Sequence, residues 1–428
     1  MLRRIGTAGL LVIALTACAG NGGAAGATPT GGKAAPPAPT PDSSPSQVDP
    51  VARALAGLSV EEKVGQLFMP VLYGTTAGSS SGENQARYGA PTPAKVIARY
   101  HLGGVILFPA NVKSTSQVVG LTNGLQRASK KVPLLIGTDQ ENGLVARMSA
   151  LMTDLPGAAA IGATKDPALA RAVARATGEE LRALGVNLDF APVADVNVNP
   201  KNPVIGRRAY GDDPRRVSTM VAAAVKGFAD AGVAATAKHF PGHGDTSVDS
   251  HTGLPVIKHT RAQWERIDAP PFKAAIGAGV DAVMSAHIVF PKLDPSGDPA
   301  TLSKPILTGL LRQKLGFDGV ISTDALNMAG VRQKYDDGEI AVRAVLAGAD
   351  LLLMPNDLPK AYRAVLSAVK SGRISGKRLD QSVTRLLRLK HARGFLTGAP
   401  AASAAKAAGV LRSAEHRKLA ARVESAAD

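Results

Sequence analysis

Eight short apolar runs, separated by longer segments with helical periodicity, constrain the fold of this 428-residue chain most strongly. The runs are rich in Val, Ile, Leu and Ala without strict polar alternation, which is typical of strands buried on both faces of a parallel sheet. Eight strand and helix units over about 340 residues predict a single-domain α/β fold, a (β/α)8 barrel. The runs cover residues 66–72, 104–108, 133–139, 187–192, 233–239, 280–287, 319–324 and 350–355.

The segments between the runs predict helices, and Ser59 with Glu62 has the pattern of a capping box. A doubly wound open sheet is the alternative, and a glycine-rich phosphate loop after the first strand would favour it. The first run continues into Tyr73-Gly-Thr-Thr without such a loop, so the barrel is preferred. The predicted helices include 50–57, 59–65, 167–184, 214–231, 269–277, 304–315 and 339–348.

The amino terminus is typical of an exported bacterial lipoprotein. Residues 1–17 combine Arg3 and Arg4 with a short apolar stretch, as a signal peptide does. Leu15-Thr-Ala-Cys18 resembles a lipobox, which implies cleavage before Cys18 and lipidation of its thiol. Because Cys18 is the only cysteine, no intramolecular disulfide is expected. The expected location is the outer face of the cytoplasmic membrane, or the exterior if the protein is secreted.

Composition divides the rest of the chain into three parts. Residues 18–50 carry the lipidated cysteine and a Gly-, Ala-, Pro-, Thr- and Ser-rich stretch, which predicts a disordered tether. Residues 51–397 hold all eight runs and predict the barrel domain, whereas 398–428 predict an Ala-rich helical tail.

The net charge of +16 is compatible with nucleic acid, anionic lipid or an anionic polymer of the cell envelope as a partner. Only 4% of the residues are aromatic, and the cations are scattered through helical segments. This pattern argues against a nucleic-acid partner.

Polar side chains stand where the predicted strands end. Active sites of barrels of this kind lie at the carboxyl ends of the strands, so these residues are expected on one rim. Any one of them alone would more often be a helix cap or a hydrogen-bonded core group, so the inference rests on their joint placement. The residues are Asp139, Asp195, Asn197, Lys238, His239, His287, Asp324 and Asn356.

The segment 238–251, KHFPGHGDTSVDSH, places three His and two Asp beside two Gly and one Pro within fourteen residues, more ionisable groups than a solvated turn requires. His239 and His243 have the spacing of a helical zinc pair, but Pro241 and the neighbouring glycines disfavour a helix. Asp249 stands two residues before His251, a spacing that suits a carboxylate–imidazole dyad for proton transfer. Neither a metal nor a cofactor is predicted.

Four motifs resemble glycoside hydrolase family 3, specifically its β-N-acetylglucosaminidase (NagZ-type) branch. The resemblance runs from residue 55 to about 394. The motifs occur in order at 139–141 (DQE), 204–208 (VIGRR), 238–251 and 322–328 (STDALNM).

The resemblance implies catalytic roles for three residues. Asp324 corresponds to the nucleophile, although its place at a strand end also suits a helix cap. His251 takes the place of the general acid/base and Asp249 that of its partner. Retaining glycosidases usually use two carboxylates, so an Asp–His dyad departs from that pattern. The residues that resemble sugar-binding positions are Asp139, Arg147, Arg208, Lys238 and His239.

The implied activity is removal of terminal β-linked N-acetylglucosamine from peptidoglycan fragments (muropeptides), in cell-wall turnover or recycling. Phosphorolysis at the same site is one alternative, and a non-catalytic wall-binding lipoprotein is another. One departure from the family is Leu144, where Glu-Gly-Gly-Arg-Val is usual and this chain has Glu141-Asn-Gly-Leu-Val. This change removes a positive charge near the rim.

Overall fold

The computed structural model describes residues 49–248, 253–398 and 400–427. Each of the eight predicted runs overlaps a strand within these residues. The strands are β1 Phe68–Met69, β2 Gly104–Ile106, β3 Leu135–Thr138, β4 Gln140–Asn142, β5 Val145–Ala146, β6 Leu188–Asp189, β7 Ala234–Phe240, β8 Ala282–Ser285, β9 Val320–Ser322 and β10 Leu352–Leu353.

The strands form two parallel sheets and one short antiparallel hairpin. Six strands pair in the order β2-β3-β6-β7-β8-β9, and β1 pairs with β10. Isolated parallel bridges join Val71 to Ile106 and Ser322 to Leu351, so they link the β1–β10 pair to both ends of the larger sheet. Strands β4 and β5 form the hairpin. The predicted alternation of buried parallel strands and helices is confirmed.

The helices pack around these sheets. Residues 304–315, predicted as an α-helix, instead contain a π-helix at Pro305–Lys314, because apolar periodicity over ten residues does not distinguish the two windings. Within the described part of the chain, short 3-10 helices lie at Pro109–Asn111, Gly206–Arg208 and Ala300–Leu302. The α-helices are α1 Pro50–Ala56, α2 Val60–Gln66, α3 Gly82–Tyr88, α4 Pro93–Tyr100, α5 Thr115–Ala128, α6 Ala158–Thr164, α7 Pro167–Ala183, α8 Pro214–Ala231, α9 Arg261–Ile267, α10 Ala269–Gly277, α11 Asp337–Ala347, α12 Leu358–Lys370, α13 Gly376–Ala392, α14 Ala404–Val410 and α15 Ala414–Ala427.

Helix α8 shows why some bounds are readable from the sequence. The side chain of Asp213 caps the first turn by accepting from the amide of Arg216, and Pro214 occupies the first helical position. Gly232 ends the helix in the left-handed conformation, with φ of 73°. These local signals give α8 the predicted bounds.

Helices also form after β1, where none was predicted, and in the tail, where helical structure was predicted. The Gly- and Ser-rich stretch after β1 contains α3, and the predicted tail contains α14 and α15. Helix α14 packs against α5 and α7, and α15 packs against α6 and α7. The tail helices therefore lie on the same body as the sheets. None of the described helices combines the length and the apolar character needed to cross a bilayer.

A buried carboxylate anchors the start of β10, at the end of the sheet opposite the predicted site. Asp350 is fully buried and accepts hydrogen bonds from Arg312, from Arg378 at 3.3 Å and from Ser382 at 2.6 Å. The amide of Ile321 also donates to it, at 3.1 Å. This one carboxylate thus ties the π-helix and α13 to the sheet.

We expect Asp350→Asn to lower the free energy of unfolding by about 3–5 kcal/mol, because it leaves buried guanidinium groups without their counter-charge. Denaturant unfolding measures the change. Asp318→Asn is the control, since Asp318 pairs with Arg385 at 3.1 Å but its side chain is 69% exposed. The control should change stability by less than about 1 kcal/mol. An equal loss of unfolding free energy in the two variants would contradict the assignment of Asp350 as an anchor.

Candidate active site

A buried lysine joins two carboxylates at the carboxyl ends of β3 and β7. The ammonium of Lys238, in β7, lies 2.8 Å from Asp139 Oδ1 and 2.6 Å from Glu141 Oε1. Asp139 follows β3, and Glu141 is the central residue of β4. Lys238 is only 2% exposed, so its charge requires these partners. Asp139 and Lys238, both expected on one rim of the sheet, are therefore in direct contact.

Arg208 completes this cluster from the 3-10 helix Gly206–Arg208. Its guanidinium binds Glu141 through two hydrogen bonds, from Nε at 2.8 Å and from Nη2 at 2.7 Å. Nη2 also lies 3.4 Å from Nε2 of His239. Two cations thus share two carboxylates, which balances the formal charge of the cluster.

The pKa shifts follow from this arrangement. Burial by itself raises the pKa of Glu141, but Lys238 and Arg208 outweigh it and lower the pKa to about 2. Burial lowers the pKa of Lys238, but Asp139 and Glu141 outweigh it and the net pKa is raised. At neutral pH both partners are therefore charged.

Asp195 orients the two histidines that follow in the chain. Its Oδ2 lies 2.7 Å from Nδ1 of His239, and its Oδ1 accepts from the amides of His239 at 3.1 Å and His243 at 2.8 Å. Because a carboxylate only accepts hydrogen bonds, Nδ1 of His239 carries a proton toward Asp195, while Nε2 faces Arg208. Nδ1 of His243 lies 3.0 Å from the hydroxyl of Thr246.

The turn after β7 requires two of its glycines. A Cβ at Gly242, where φ is 135°, would lie 2.6 Å from Oδ1 of Asp268. A Cβ at Gly244 would lie 1.7 Å from the carbonyl oxygen of Val196. Close packing against neighbouring backbone and side chains therefore explains both glycines.

His259 bridges two carboxylates where the chain returns from this turn. Its Nδ1 lies 2.7 Å from Asp268 and its Nε2 lies 3.1 Å from Asp245. The indole of Trp264 donates to the carbonyl of Pro241 at 2.9 Å. These contacts hold both the outgoing and the returning chain against the start of α10.

Asp324 follows β9 on the same edge of the sheet. Its Oδ1 accepts from the amide of Ala325 at 2.7 Å, while Nε2 of His287 lies 3.0 Å from the carbonyl oxygen of Ala325. Burial raises the pKa of Asp324, but the nearby His287 and His239, the Ala325 amide and Lys238 outweigh it. The net pKa is lowered, so the carboxylate is ionised at neutral pH and available as a nucleophile.

Arg147 lies beside the cluster but is not paired with Asp139 through its side chain. Its amide donates to the carbonyl of Asp139 at 3.1 Å, and its guanidinium lies 5.4 Å from the ring centre of Phe108. Its buried Nε has no hydrogen-bond partner among the described residues. Leu144, at the tip of the β4–β5 hairpin, is 68% exposed.

Three predicted residues cannot be placed. Asp249 and His251 lie in 249–252, outside the described residues, and Cys18 lies in the amino-terminal part that is likewise outside them. Their roles stay predictions. Among the described residues, no group of three or more His, Cys, Asp or Glu side chains is arranged to hold a metal ion.

Two residues of the site were not assigned roles from the sequence. Glu141 stands two residues after Asp139, and alternation along an extended segment places both side chains on one face, so a signal for it existed. Asp195 was recognised only as a polar residue at a strand end. Its contact with His239 joins residues 44 positions apart, which no local pattern reveals.

Parallel α/β architecture and a cluster of carboxylates, cations and histidines at the strand ends agree with the sequence comparisons. The profile described as "Glycosyl hydrolase family 3 N terminal domain" matches residues 59–389. The chain belongs to glycoside hydrolase family 3.

Relatives and solved structures refine this placement. A β-hexosaminidase A from Pseudoalteromonas piscicida is 41% identical over 367 residues, which are 79% of this chain and 60% of that protein. This chain thus spans less than two thirds of that relative. A family 3 β-N-acetylglucosaminidase from Paenibacillus sp. str. FPU-7 superposes with a TM-score of 0.80 and 44% identity, over 86% of this chain and 69% of that chain. The β-glucoside phosphorylase BglX superposes with a TM-score of 0.79 and 28% identity, over 87% and 66%.

We expect Glu141→Gln to destabilise the protein by about 3–5 kcal/mol at pH 7, because Lys238 and Arg208 would keep only Asp139 as a counter-charge. The folded pKa of Glu141, about 2, lies below its ordinary value. Its contribution is therefore present above about pH 4.5 and is lost as the pH falls toward 2.

Denaturant unfolding of protein and variant between pH 3 and pH 7 tests this expectation. The difference in stability should be largest at pH 7 and should narrow below about pH 4.5. Glu83→Gln is the control, because Glu83 pairs with Arg87 on a surface where both side chains are more than 40% exposed. If the difference in unfolding free energy between the protein and Glu141→Gln did not change with pH, Glu141 would not be the ionised group that we infer.

Proposed function

We propose that the eight parallel strands close into a (β/α)8 barrel whose carboxyl-terminal rim is the active site of a retaining exo-β-N-acetylglucosaminidase. The observation that carries the proposal is the position of Asp324. This carboxylate lies at the end of β9 beside His287 and His239, with a pKa below its ordinary value. A nucleophile at neutral pH has to be ionised, and this environment keeps it so.

The strand pairings support a closed barrel. The β1–β10 pair and the bridges Val71–Ile106 and Ser322–Leu351 connect every parallel strand to two neighbours. A helix follows each of these strands before the next one begins, except after β8, where the helix is the π-helix. This is the connectivity that the barrel requires.

The proposed reaction has two displacement steps. In the first, a carboxylate oxygen of Asp324 attacks C1 of the sugar, and the bond from C1 to the leaving oxygen breaks with its electron pair on that oxygen. His251 donates a proton to the leaving oxygen. In the second, His251 takes a proton from water as the water oxygen attacks C1, and the bond from C1 to Asp324 breaks. Asp249 orients the imidazole in both steps.

Histidine suits this double role because its ordinary pKa, about 6.5, lies near neutral pH, so both protonation states are accessible. The cluster of Asp139, Lys238, Arg208 and His239, together with Arg147, would bind the hydroxyl groups of the terminal sugar. Carboxylates accept from hydroxyls, and ammonium and guanidinium groups donate to them.

The substrate class rests on the relatives. The names β-hexosaminidase and β-N-acetylglucosaminidase belong to proteins that are 41% and 44% identical to this chain. We propose GlcNAc-containing peptidoglycan fragments as the substrate, with a role in cell-wall turnover or recycling. A net charge of +16 favours such anionic fragments. The lipobox-like sequence before Cys18 and the tether favour a location outside the cytoplasmic membrane, either anchored or secreted.

Phosphorolysis is a second candidate reaction at the same site. The structural similarity to BglX, a β-glucoside phosphorylase, favours it. A neutral imidazole repels an incoming phosphate less than a second carboxylate would. Phosphate oxygen would then attack C1 in place of water and release the sugar 1-phosphate.

We expect the protein lacking residues 1–18 to release p-nitrophenol from its β-N-acetylglucosaminide and much less from the plain β-glucoside. Assays with and without phosphate separate the two reactions, because a sugar 1-phosphate forms only by phosphorolysis. Binding of N-acetylglucosamine by a folded protein without turnover of either glycoside would instead support a non-catalytic wall-binding protein.

Asp324→Asn should lower kcat by at least about a thousandfold, because the amide is a far weaker nucleophile. It should also abolish the covalent adduct that a 2-fluoro sugar leaves on the enzyme, observed by intact-protein mass spectrometry. Asp318→Asn is the matched control, because it makes the same substitution at an exposed position close to β9. This variant should keep the parent kcat and should still form the covalent adduct. A trapped adduct in Asp324→Asn would rule out this residue as the nucleophile.

A further inference from the structure

The turn that follows β5 is stabilised by a residue from the far end of the chain. Arg412, between α14 and α15, donates from Nε to the carbonyl of Met152 at 3.0 Å. Its Nη2 donates to the carbonyls of Ser149 at 3.1 Å and Ala150 at 2.9 Å. One guanidinium group thus holds three carbonyl oxygens of the segment that starts at Arg147.

A buried carboxylate fixes the end of the same turn. Glu180, in α7, is fully buried and accepts from the amide of Thr153 at 2.8 Å and from its hydroxyl at 2.5 Å. It also accepts from the amide of Arg412 at 3.0 Å and lies 2.7 Å from Nδ1 of His416. The turn and the tail helices therefore share one anchor on α7.

Arg147, one of the predicted sugar-binding residues, stands at the start of the turn. The backbone of Arg147 is held to Asp139, while Met148 donates through its amide to the side chain of Gln140 at 2.9 Å. The guanidinium of Arg147 has the ring of Phe108 beside it, and its buried Nε lacks a hydrogen-bond partner among the described residues. Since no described side chain fixes the guanidinium by hydrogen bonds, its direction depends on the backbone of the turn.

We propose that Arg412 is a positioning residue that sets where Arg147 presents its guanidinium, which lies against the ring of Phe108, and so controls the affinity of the site for the terminal sugar. The inference rests on the proposed function, in which Arg147 binds that sugar. The tail segment would then affect the sugar site indirectly, through the backbone of the turn that carries Arg147. Substrate binding, rather than the chemical step, is what Arg412 would affect.

A purely structural role for Arg412 predicts a different result. Loss of stability would reduce the amount of folded enzyme, which lowers the apparent kcat and leaves KM unchanged. Loss of positioning would raise KM, because an interaction made equally with substrate and transition state affects KM more than kcat. KM therefore separates the two roles even if part of the variant protein is unfolded.

The experiment compares Arg412→Ala, Arg147→Ala and the double variant with the p-nitrophenyl β-N-acetylglucosaminide. We expect KM to rise by about ten- to a hundredfold in Arg147→Ala and by about five- to tenfold in Arg412→Ala, with kcat per folded enzyme changed by less than about threefold. The double variant should resemble Arg147→Ala, because Arg412 acts only through Arg147. Arg412→Lys, which keeps one cation with fewer donors, should lie between parent and Arg412→Ala.

Lys418→Ala is the matched control. Lys418 is an exposed cation on α15, and its removal changes the charge of the tail by the same amount as Arg412→Ala. It should leave KM unchanged. Unchanged KM in Arg412→Ala, or a rise that adds in full to that of Arg147→Ala, would overturn the inference.

Failure of the proposed function has a separate signature. A parent protein that does not turn over the glycoside would refute the proposed function and not the inference. Calorimetric titration with N-acetylglucosamine then makes the same comparison among parent, Arg147→Ala and Arg412→Ala without turnover. If Arg147→Ala weakens sugar binding and Arg412→Ala does not, the inference fails while the sugar-binding role of Arg147 stands.

Discussion

One ammonium group shared by two carboxylates is the interaction on which the site depends. Lys238 is buried in the sheet, and a buried charge of this kind is tolerated only with close counter-charges. Asp139 and Glu141 supply them from the end of β3 and from β4, and Arg208 binds the outer side of Glu141. The same contacts that make the buried lysine tolerable also keep Glu141 ionised and fix the carboxylate oxygens of the cluster in place, at the proposed sugar site.

A second layer of contacts directs the groups around this cluster. Asp195 fixes the ring of His239 and the amide of His243, and His287 holds the backbone next to Asp324. Histidines and Lys238 near Asp324 counter the effect of burial on its pKa. The positive groups therefore support the proposed chemistry indirectly, since they keep the carboxylate of Asp324 ionised in a largely buried site.

The parts that were readable from the sequence are those with local physical causes. Buried strands appear as apolar runs because both of their faces are covered, and α8 has its predicted bounds because Asp213 and Gly232 are local caps. Placement of Asp139, Lys238 and Asp324 on one edge followed from the parallel direction of the strands. The π-helix Pro305–Lys314 was not foreseen, because the spacing of its apolar residues also fits an α-helix.

The sequence by itself determined the parallel α/β alternation and the residues that stand at the strand ends, because hydrophobic periodicity and capping are properties of neighbouring residues. Only the tertiary structure decided that Glu141 is shared by Lys238 and Arg208, that Asp195 orients His239, and that Arg412 reaches the turn of Arg147. Each of these contacts joins residues more than 30 positions apart. Their strength comes from desolvation and geometry in the assembled fold, and no local pattern in the chain encodes either quantity.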